Sequence, residues 1–426
     1  MNSDRGSRLV ASLRLVVSRD FGMLWLGEAI SQIGDSLNRV ALLWFAYQTS
    51  RSTLRMSLVG VVQTLPPLIF GPLIGVYLDR LRKKPALVVI SLLRGALVTL
   101  IPILHTAHLL SLNLLYLIVF GISVIGAFAG PALLTAVPLL VSRDDLTPAN
   151  ALIQATSTVG VLLGPSVAGV GISLLGISRV LYIDAASFAA FAFCASFIRL
   201  PETEVPARTL VRAREVIHDL RTTVTFLAHE QRGILVLTLV AAFQNLGASA
   251  FVFMLPGFVK TDIEAGSVWL GLLWSMFGLG MLLATASIAM VRTGPIAKML
   301  RIALAAPMLG GASIAALSLA KVKPAAATLM VVIGWSAAAF SPVIISLVEG
   351  STPTAMRARV LTVFNSANMA AVTIGVLVFG WIADRVGNEF ALYGIAGVLL
   401  VSGLSLAIVM RVQTTRRLIE NLATSP

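Results

Sequence analysis

Glu28, Gln32, Asp35 and Arg39 follow one another at spacings of four, three and four within EAISQIGDSLNR, a stretch set in the apolar run from Phe21 to Tyr47. On an α-helix that spacing gathers all four on one stripe. Two carboxylates and a guanidinium in an apolar helix can pair with each other, bind a cation, or take up and release a proton. At ~1.5 Å per residue Asp35 lies about 20 Å beyond Phe21, near the middle of a bilayer. An isolated charge at that depth is expensive, so it must pair or face a cavity. Arg39 is in reach of Asp35 at i+4, and Arg94, in a later apolar run, is a second cation. Proton exchange makes Asp35 the leading coupling residue, with Glu28 nearer the cytoplasmic mouth; a static ion pair is the competing reading. Gln63, Gln154, Gln244, Asn245, Asn365 and Asn368 are amides in apolar runs, suited either to the same cavity or to interhelical hydrogen bonds. Asp184 and Glu349 are read as too close to helix ends to be central.

The elements that position these groups are membrane helices. The chain is 57% hydrophobic and 12% charged over 426 residues, too apolar to cover a soluble globule with polar surface. Its apolar runs lack the two-residue alternation of a barrel strand and are too long for one, which leaves an all-α polytopic membrane protein. Twelve spans are expected, near 21–48, 56–78, 85–104, 112–141, 149–175 and 178–199, then 233–256, 267–291, 298–320, 324–349, 357–383 and 389–411. With the N-terminus inside, 23 of the 32 Lys and Arg fall in cytoplasmic segments and 7 in external loops. That bias places both termini in the cytoplasm of a multi-pass protein of the inner (cytoplasmic) membrane. The single cysteine, Cys194, is expected to be a buried thiol.

Residues 200–232 interrupt the apolar pattern and divide the chain into a bundle over 1–199, a cytoplasmic linker, and a bundle over 233–426. Within the linker Leu210, Ala213, Ile217, Leu220, Val224 and Leu227 recur at threes and fours, the pattern of an amphipathic helix on the inner membrane surface. A shift of 211 residues superposes Pro131 on Pro342, Gly164 on Gly375, Gly169 on Gly380, Gly176 on Gly387 and Tyr182 on Tyr393. Two parallel six-helix repeats are a transporter architecture, with a substrate site expected near the midplane at their interface.

Two motifs carry mechanism. GPLIGVYLDRLRKKP, residues 71–85, sets Gly75, Asp79, Arg80, Lys83 and Lys84 at the inner end of the second span. It resembles the GxxxDRxGRR loop of the major facilitator superfamily, with Arg82 in place of a glycine. The resemblance implies a latch in which Asp79 meets a helix N-terminus and the basic residues hold a gated state. GVLLGPSVAG, residues 160–169, sets Gly160, Gly164, Pro165 and Gly169 on a small-residue ridge, with Pro165 favouring a kink. It resembles the GxxxGPxxGG motif of drug:proton exchangers in that superfamily, with Ala168 for one glycine. Together with FGMLWLGEAISQIGDSLNRVALLW, the text is similar to the branch holding macrolide-efflux proteins and the enterobactin exporter. That implies proton-coupled efflux of small amphipathic compounds by a monomer, driven by a proton gradient without a cofactor. Lysophospholipid transporters of the same fold share the first-span pattern and imply the alternative, a lipid substrate.

Other classes lack their residues. His105 and His108 stand apart from His218 and His229, no HExxH or Cys/His cluster supplies a metal or catalytic centre, and no GxxxxGK[ST] loop binds ATP. The net charge of +13 comes without the aromatic-interleaved basic patch of a nucleic-acid binder.

Overall fold

The computed structural model describes residues 14–78, 81–201, 213–291, 296–319, 322–353 and 356–411. The described residues form helices and short connections with no strand. The helices are α1 (Arg19–Ser50), α2 (Thr53–Leu78), α3 (Lys83–Thr106), α4 (Leu112–Gly126), α5 (Ala129–Ala136), α6 (Leu146–Leu175) and α7 (Ile177–Phe197). They continue with α8 (Ala213–His229), α9 (Arg232–Thr261), α10 (Ser267–Val291), α11 (Ile296–Leu319), α12 (Lys323–Ser351), α13 (Arg357–Val386) and α14 (Asn388–Arg411).

Eleven stretches are long and apolar enough to cross a bilayer, one of them running through α4 and α5. Outside that set are the 17-residue linker helix α8 and the first helix, α1, whose 32 residues span ~48 Å. In α1 the reason is compositional. Its polar stripe lowers its hydropathy, while its length exceeds what a bilayer needs. Twelve crossings are consistent with these elements.

The fourth span departs from the expected continuous helix over 112–141. It breaks at Ala127 and Phe128, resumes as α5, and ends in a 3-10 turn over Val137–Leu139. Pro131 cannot donate to the carbonyl of Ala127, and Gly126 and Gly130 flank the break with weak helix formers. At the repeat-related positions Pro342 is flanked by Ala337 and Ser341, and α12 runs unbroken from Lys323 to Ser351. Pro165 likewise leaves α6 continuous from Leu146 to Leu175, so one lost donor is absorbed where the neighbouring residues favour a helix.

The chain separates into two compact units, Met1–Phe45 with Leu65–Val211, and Ala46–Thr64 with Arg212–Pro426. In the first unit α3 packs along α7. Its core gathers Phe21 and Leu24 of α1, Leu87 and Ile90 of α3, and Phe191 and Ala195 of α7. In the second, α9 packs along α13 and α12 lies against α10 and α11, around Phe340, Ile344, Val360 and Phe364. The linker helix α8 is more than a surface tether. Leu227 is fully buried in that second core and Phe226 packs against it, so the last turns of α8 dock on protein.

Candidate functional site

The polar groups of α1 are held by three neighbouring helices of the first unit. Arg94 of α3 donates to Asp35 at 2.5 Å, an ion pair whose side chains keep 15% and 30% of their exposure. The guanidinium carbon lies 4.2 Å from the centroid of the Phe188 ring of α7, a cation–π contact that fixes the arginine from its other face. Gly126 faces the guanidinium, where a Cβ would lie in ordinary contact with Arg94 Nε at 3.4 Å. Of the two cations the sequence offers to Asp35, Arg39 is exposed and Arg94 makes the pair. The physical reason is geometric: Arg94 reaches Asp35 across a helix interface, where the pair is more enclosed than Arg39.

One turn nearer the cytoplasmic mouth of the expected topology, Gln32 Nε2 donates to Glu28 Oε1 at 2.8 Å. The stripe therefore divides into a carboxylate–guanidinium pair and a carboxylate–amide pair. The ridge of α6 packs against the same helix. Trp25 Nε1 donates to Thr156 Oγ1 at 2.9 Å, and Ser36 Oγ donates to the carbonyls of Gln32 and Gly160, each at 3.0 Å. A Cβ on Gly160 would meet Gln32, and one on Gly164 would collide with Ser36. Gly164 thus allows the close approach that sets the stripe against α6, while a Cβ at Gly160 would sit at an ordinary contact distance of 3.5 Å.

Asp184 is where the sequence reading fails. It stands seven residues into α7 and is 0% exposed, neither near a helix end nor outside the polar cluster. Asn38 Nδ2 donates to its Oδ2, while its Oδ1 has no hydrogen-bond partner. Gly34 admits this approach, because a Cβ there would strike Ser187 Oγ and Asp184 Oδ1. The signal was present in sequence: Asn38 lies at i+3 from Asp35 on the stripe, and Asp184 shares a face of α7 with Ser187 and Phe188.

The remaining amides separate. In the second unit Asn245 Nδ2 donates to Asn368 Oδ1 at 2.6 Å, and Asn368 Nδ2 donates to the Phe364 carbonyl at 2.7 Å, linking α9 and α13. Gln244 is buried with its Oε1 unpartnered, beside a gap of about 10 Å³ lined also by Ser336 and Phe277. That is roughly the room of one water. Gln154 and Asn365 are exposed and Gln63 is half-buried.

Of the expected latch, Asp79 and Arg80 lie outside the described residues. Gly75 belongs to the last turns of α2. Lys83 Nζ donates to the Leu78 carbonyl at 2.7 Å, capping the end of α2, and Lys84 follows it in the first turn of α3. Arg82 has φ −60°, which any residue adopts, so the glycine of the family pattern is not required there. A second carboxylate cap closes the opposite end of α2 within the second unit. Asp384 of α13 accepts from Thr53 N at 2.6 Å, Leu54 N at 3.3 Å and Ser52 Oγ at 2.5 Å. No group of acids, histidines and cysteines among the described residues is arranged to hold a metal ion.

A family model described as "Transmembrane secretion effector" matches residues 11–424. Macrolide efflux protein A of Streptococcus pyogenes is 25% identical over 182 residues, 43% of this chain and 45% of that protein, so the chain spans under half the length of that relative. The multidrug efflux pump Tap of Mycolicibacterium fortuitum is 24% identical over 382 residues, 87% of this chain and 90% of Tap. Among solved structures, a bacterial homologue of the iron transporter ferroportin, in an inward-facing state, superposes with a TM-score of 0.73 at 13% identity, covering 92% of this chain and 98% of its own. The nucleoside transporter NupG superposes with a TM-score of 0.71 at 16% identity, covering 91% and 99%.

Proposed function

The chain belongs to the transmembrane secretion effector family of the major facilitator superfamily, and on that premise we propose that it is a secondary active transporter. It exports small amphipathic compounds across the cytoplasmic membrane in exchange for protons, with both termini in the cytoplasm. The observation that carries this is the Asp35–Arg94 pair. A carboxylate and a guanidinium are costly in an apolar bundle and serve no packing need that two apolar side chains would not meet better. An ion pair that a proton can break gives them a purpose.

Protonation of Asp35 adds a hydrogen to the carboxylate and removes the charge that Arg94 neutralises, so the guanidinium is released. Loss of the proton re-forms the pair. Coupling requires only that this switch alternate with substrate occupancy, each ligand favouring a different state of the protein. The Glu28–Gln32 pair lies on the same stripe and supplies a carboxylate suited to a cationic or hydrogen-bonding substrate. The names of the two efflux relatives support export of drug-like compounds, macrolides included. The gradient is the energy source, and the reading calls for no resident cofactor and no second subunit.

The test is efflux from proteoliposomes under an imposed pH gradient, with erythromycin and ethidium as probes. Wild-type protein should move at least one of them uphill, and Asp35→Asn should reduce that uphill movement at least tenfold while folding normally. Undiminished gradient-driven transport by Asp35→Asn would remove Asp35 from the coupling step. No response of the wild type to the gradient, with movement of lysophospholipid in the same vesicles, would favour lipid transport instead.

A further inference from the structure

Asp184 takes no part in the switch as described so far, yet it is the most enclosed acid among the described residues. Buried carboxylates survive when their oxygens are hydrogen-bonded or their charge is paired. Asp184 has neither in full. Asn38 serves Oδ2, Oδ1 is bare, and the Ser187 hydroxyl donates at 2.7 Å to the backbone carbonyl of Asp184. The charged side chains that act on it are Asp35 of α1 and Arg94 of α3. Arg94 is already committed to Asp35 through Nη2, and its buried Nε also lacks a partner. Two carboxyls therefore face one guanidinium, and two buried polar atoms, Asp184 Oδ1 and Arg94 Nε, lack a hydrogen-bond partner. The arrangement balances its charge only if the pair of acids shares one proton.

We propose that Asp184 is the second carboxyl of the proton pathway, holding a proton while Asp35 is paired with Arg94 and passing it to Asp35 during the cycle. This rests on the proton-exchange reading above. In the handover the O–H bond on Asp184 breaks, an O–H bond forms on Asp35, and Arg94 shifts from Asp35 to the new carboxylate. The total charge of the three groups is unchanged, so the step needs no counter-ion. Asn38 lies about one turn beyond Asp35 along α1, so Asp184 is the outward member of the two in the expected topology. The proton that refills it comes from the external side, and the proton on Asp35 leaves to the cytoplasm.

Infrared difference spectroscopy over a pH titration of the full-length protein reads the proton without needing a substrate. At neutral pH the wild type should show the C=O stretch of a protonated, weakly hydrogen-bonded carboxylic acid. Asp184→Asn should abolish that band, and Asp35→Asn should abolish it too, because Arg94 then has a single carboxyl to neutralise and Asp184 gives up its proton. If Asp184→Asn does not fold, Asn38→Val, which removes the donor to Oδ2, should shift the band. A wild-type spectrum without the band, or a band indifferent to Asp184→Asn and to Asn38→Val, overturns the proposal. In proteoliposomes with ethidium as probe, Asp184→Asn should lose at least tenfold in gradient-driven transport yet keep ethidium counterflow at equal pH within about twofold. Failure of the wild type to respond to the gradient would refute proton exchange itself. A coupled wild type with an equally coupled Asp184→Asn would refute the role of Asp184 alone.

Discussion

At the scale of single residues, Arg94 is the hub. Its guanidinium meets Asp35 on one side and the Phe188 ring on the other. Arg94→Ala leaves Asp35 without its counter-charge in an apolar bundle, a change that costs about 3–5 kcal/mol where both partners are fully buried and less here, where Asp35 keeps part of its exposure. Arg94→Ala should therefore lower the midpoint of thermal unfolding in detergent by several degrees, and adding Asp35→Asn should restore much of the loss. Equal, additive losses in the single and double variants would mean that the two side chains do not interact energetically. Arg94→Lys should rescue the charge but not the position over Phe188, because an ammonium lacks the planar fork. Spacing alone exposed Asp35, Glu28 and Gln32, since helical periodicity is written in one strand of text. It leaves the partner open between Arg39, the i+4 neighbour, and Arg94, because spacing does not say which face of another helix packs against Asp35. For Asp184 the helix face is legible from its spacing to Ser187 and Phe188, but its depth is not, because that depends on where α7 begins and on Gly34 opposite it.

At the scale of helices, glycines decide how closely the site is held. Ser36 bonds the carbonyl of Gly160 while its side chain fills the place a Cβ on Gly164 would need. Gly164→Ala should overpack the α1–α6 contact by about 1–3 kcal/mol. Ser36→Gly, which clears that place, should recover stability in the double variant beyond the sum of the single effects. A Gly164→Ala protein as stable as the wild type would show that the two helices separate freely there. The cap on α2 makes a second element-scale prediction. Asp384 satisfies the N–H groups of Thr53 and Leu54, so Asp384→Ala should cost about 1–2 kcal/mol, as other lost N-caps do. It should also raise the reactivity of a cysteine placed at Leu54 towards a membrane-impermeant maleimide, measured in a Cys194→Ser background. Unchanged labelling would mean that the first turn of α2 holds without its cap. The small-residue ridge was legible as a motif, but its partner face on α1 was not. The Asp384 cap left no trace in the sequence, because it joins residues about 330 positions apart.

At the scale of the whole molecule, the internal repeat extends to backbone geometry. Gly176 and Gly387, superposed by the 211-residue shift, both have positive φ, 80° and 112°. Each ends one helix and starts the next: Gly176 N–H donates to the Ile172 carbonyl at 3.0 Å and Gly387 N–H to the Ala383 carbonyl at 3.1 Å, and each glycine's own carbonyl accepts, at 3.3 Å, from the residue four further on. Tyr182 and Tyr393 also share an exposure of 41%. The glycine–helix approach repeats too, Gly164 against Ser36 of α1 and Gly375 against Leu246 of α9. The repeat could be read from sequence because a positive φ is one of the few backbone states that demands a residue type. The break in the fourth span could not, since Pro131 and Pro342 match while only the first has glycines on both flanks. If the two corners are the same device, they should respond alike. Gly176→Ala and Gly387→Ala should each lose about 1–3 kcal/mol, because φ 80° with ψ 163° and φ 112° with ψ 157° lie in a positive-φ extended region that only glycine ordinarily occupies, and the asparagine variants should lose as much, since asparagine tolerates the left-handed helical region and not this one. Matching penalties in both units, read as unfolding midpoints of the full-length protein, are the expected result. A penalty at one corner with none at the other would show that the shared glycines no longer carry equal structural weight in the two repeats.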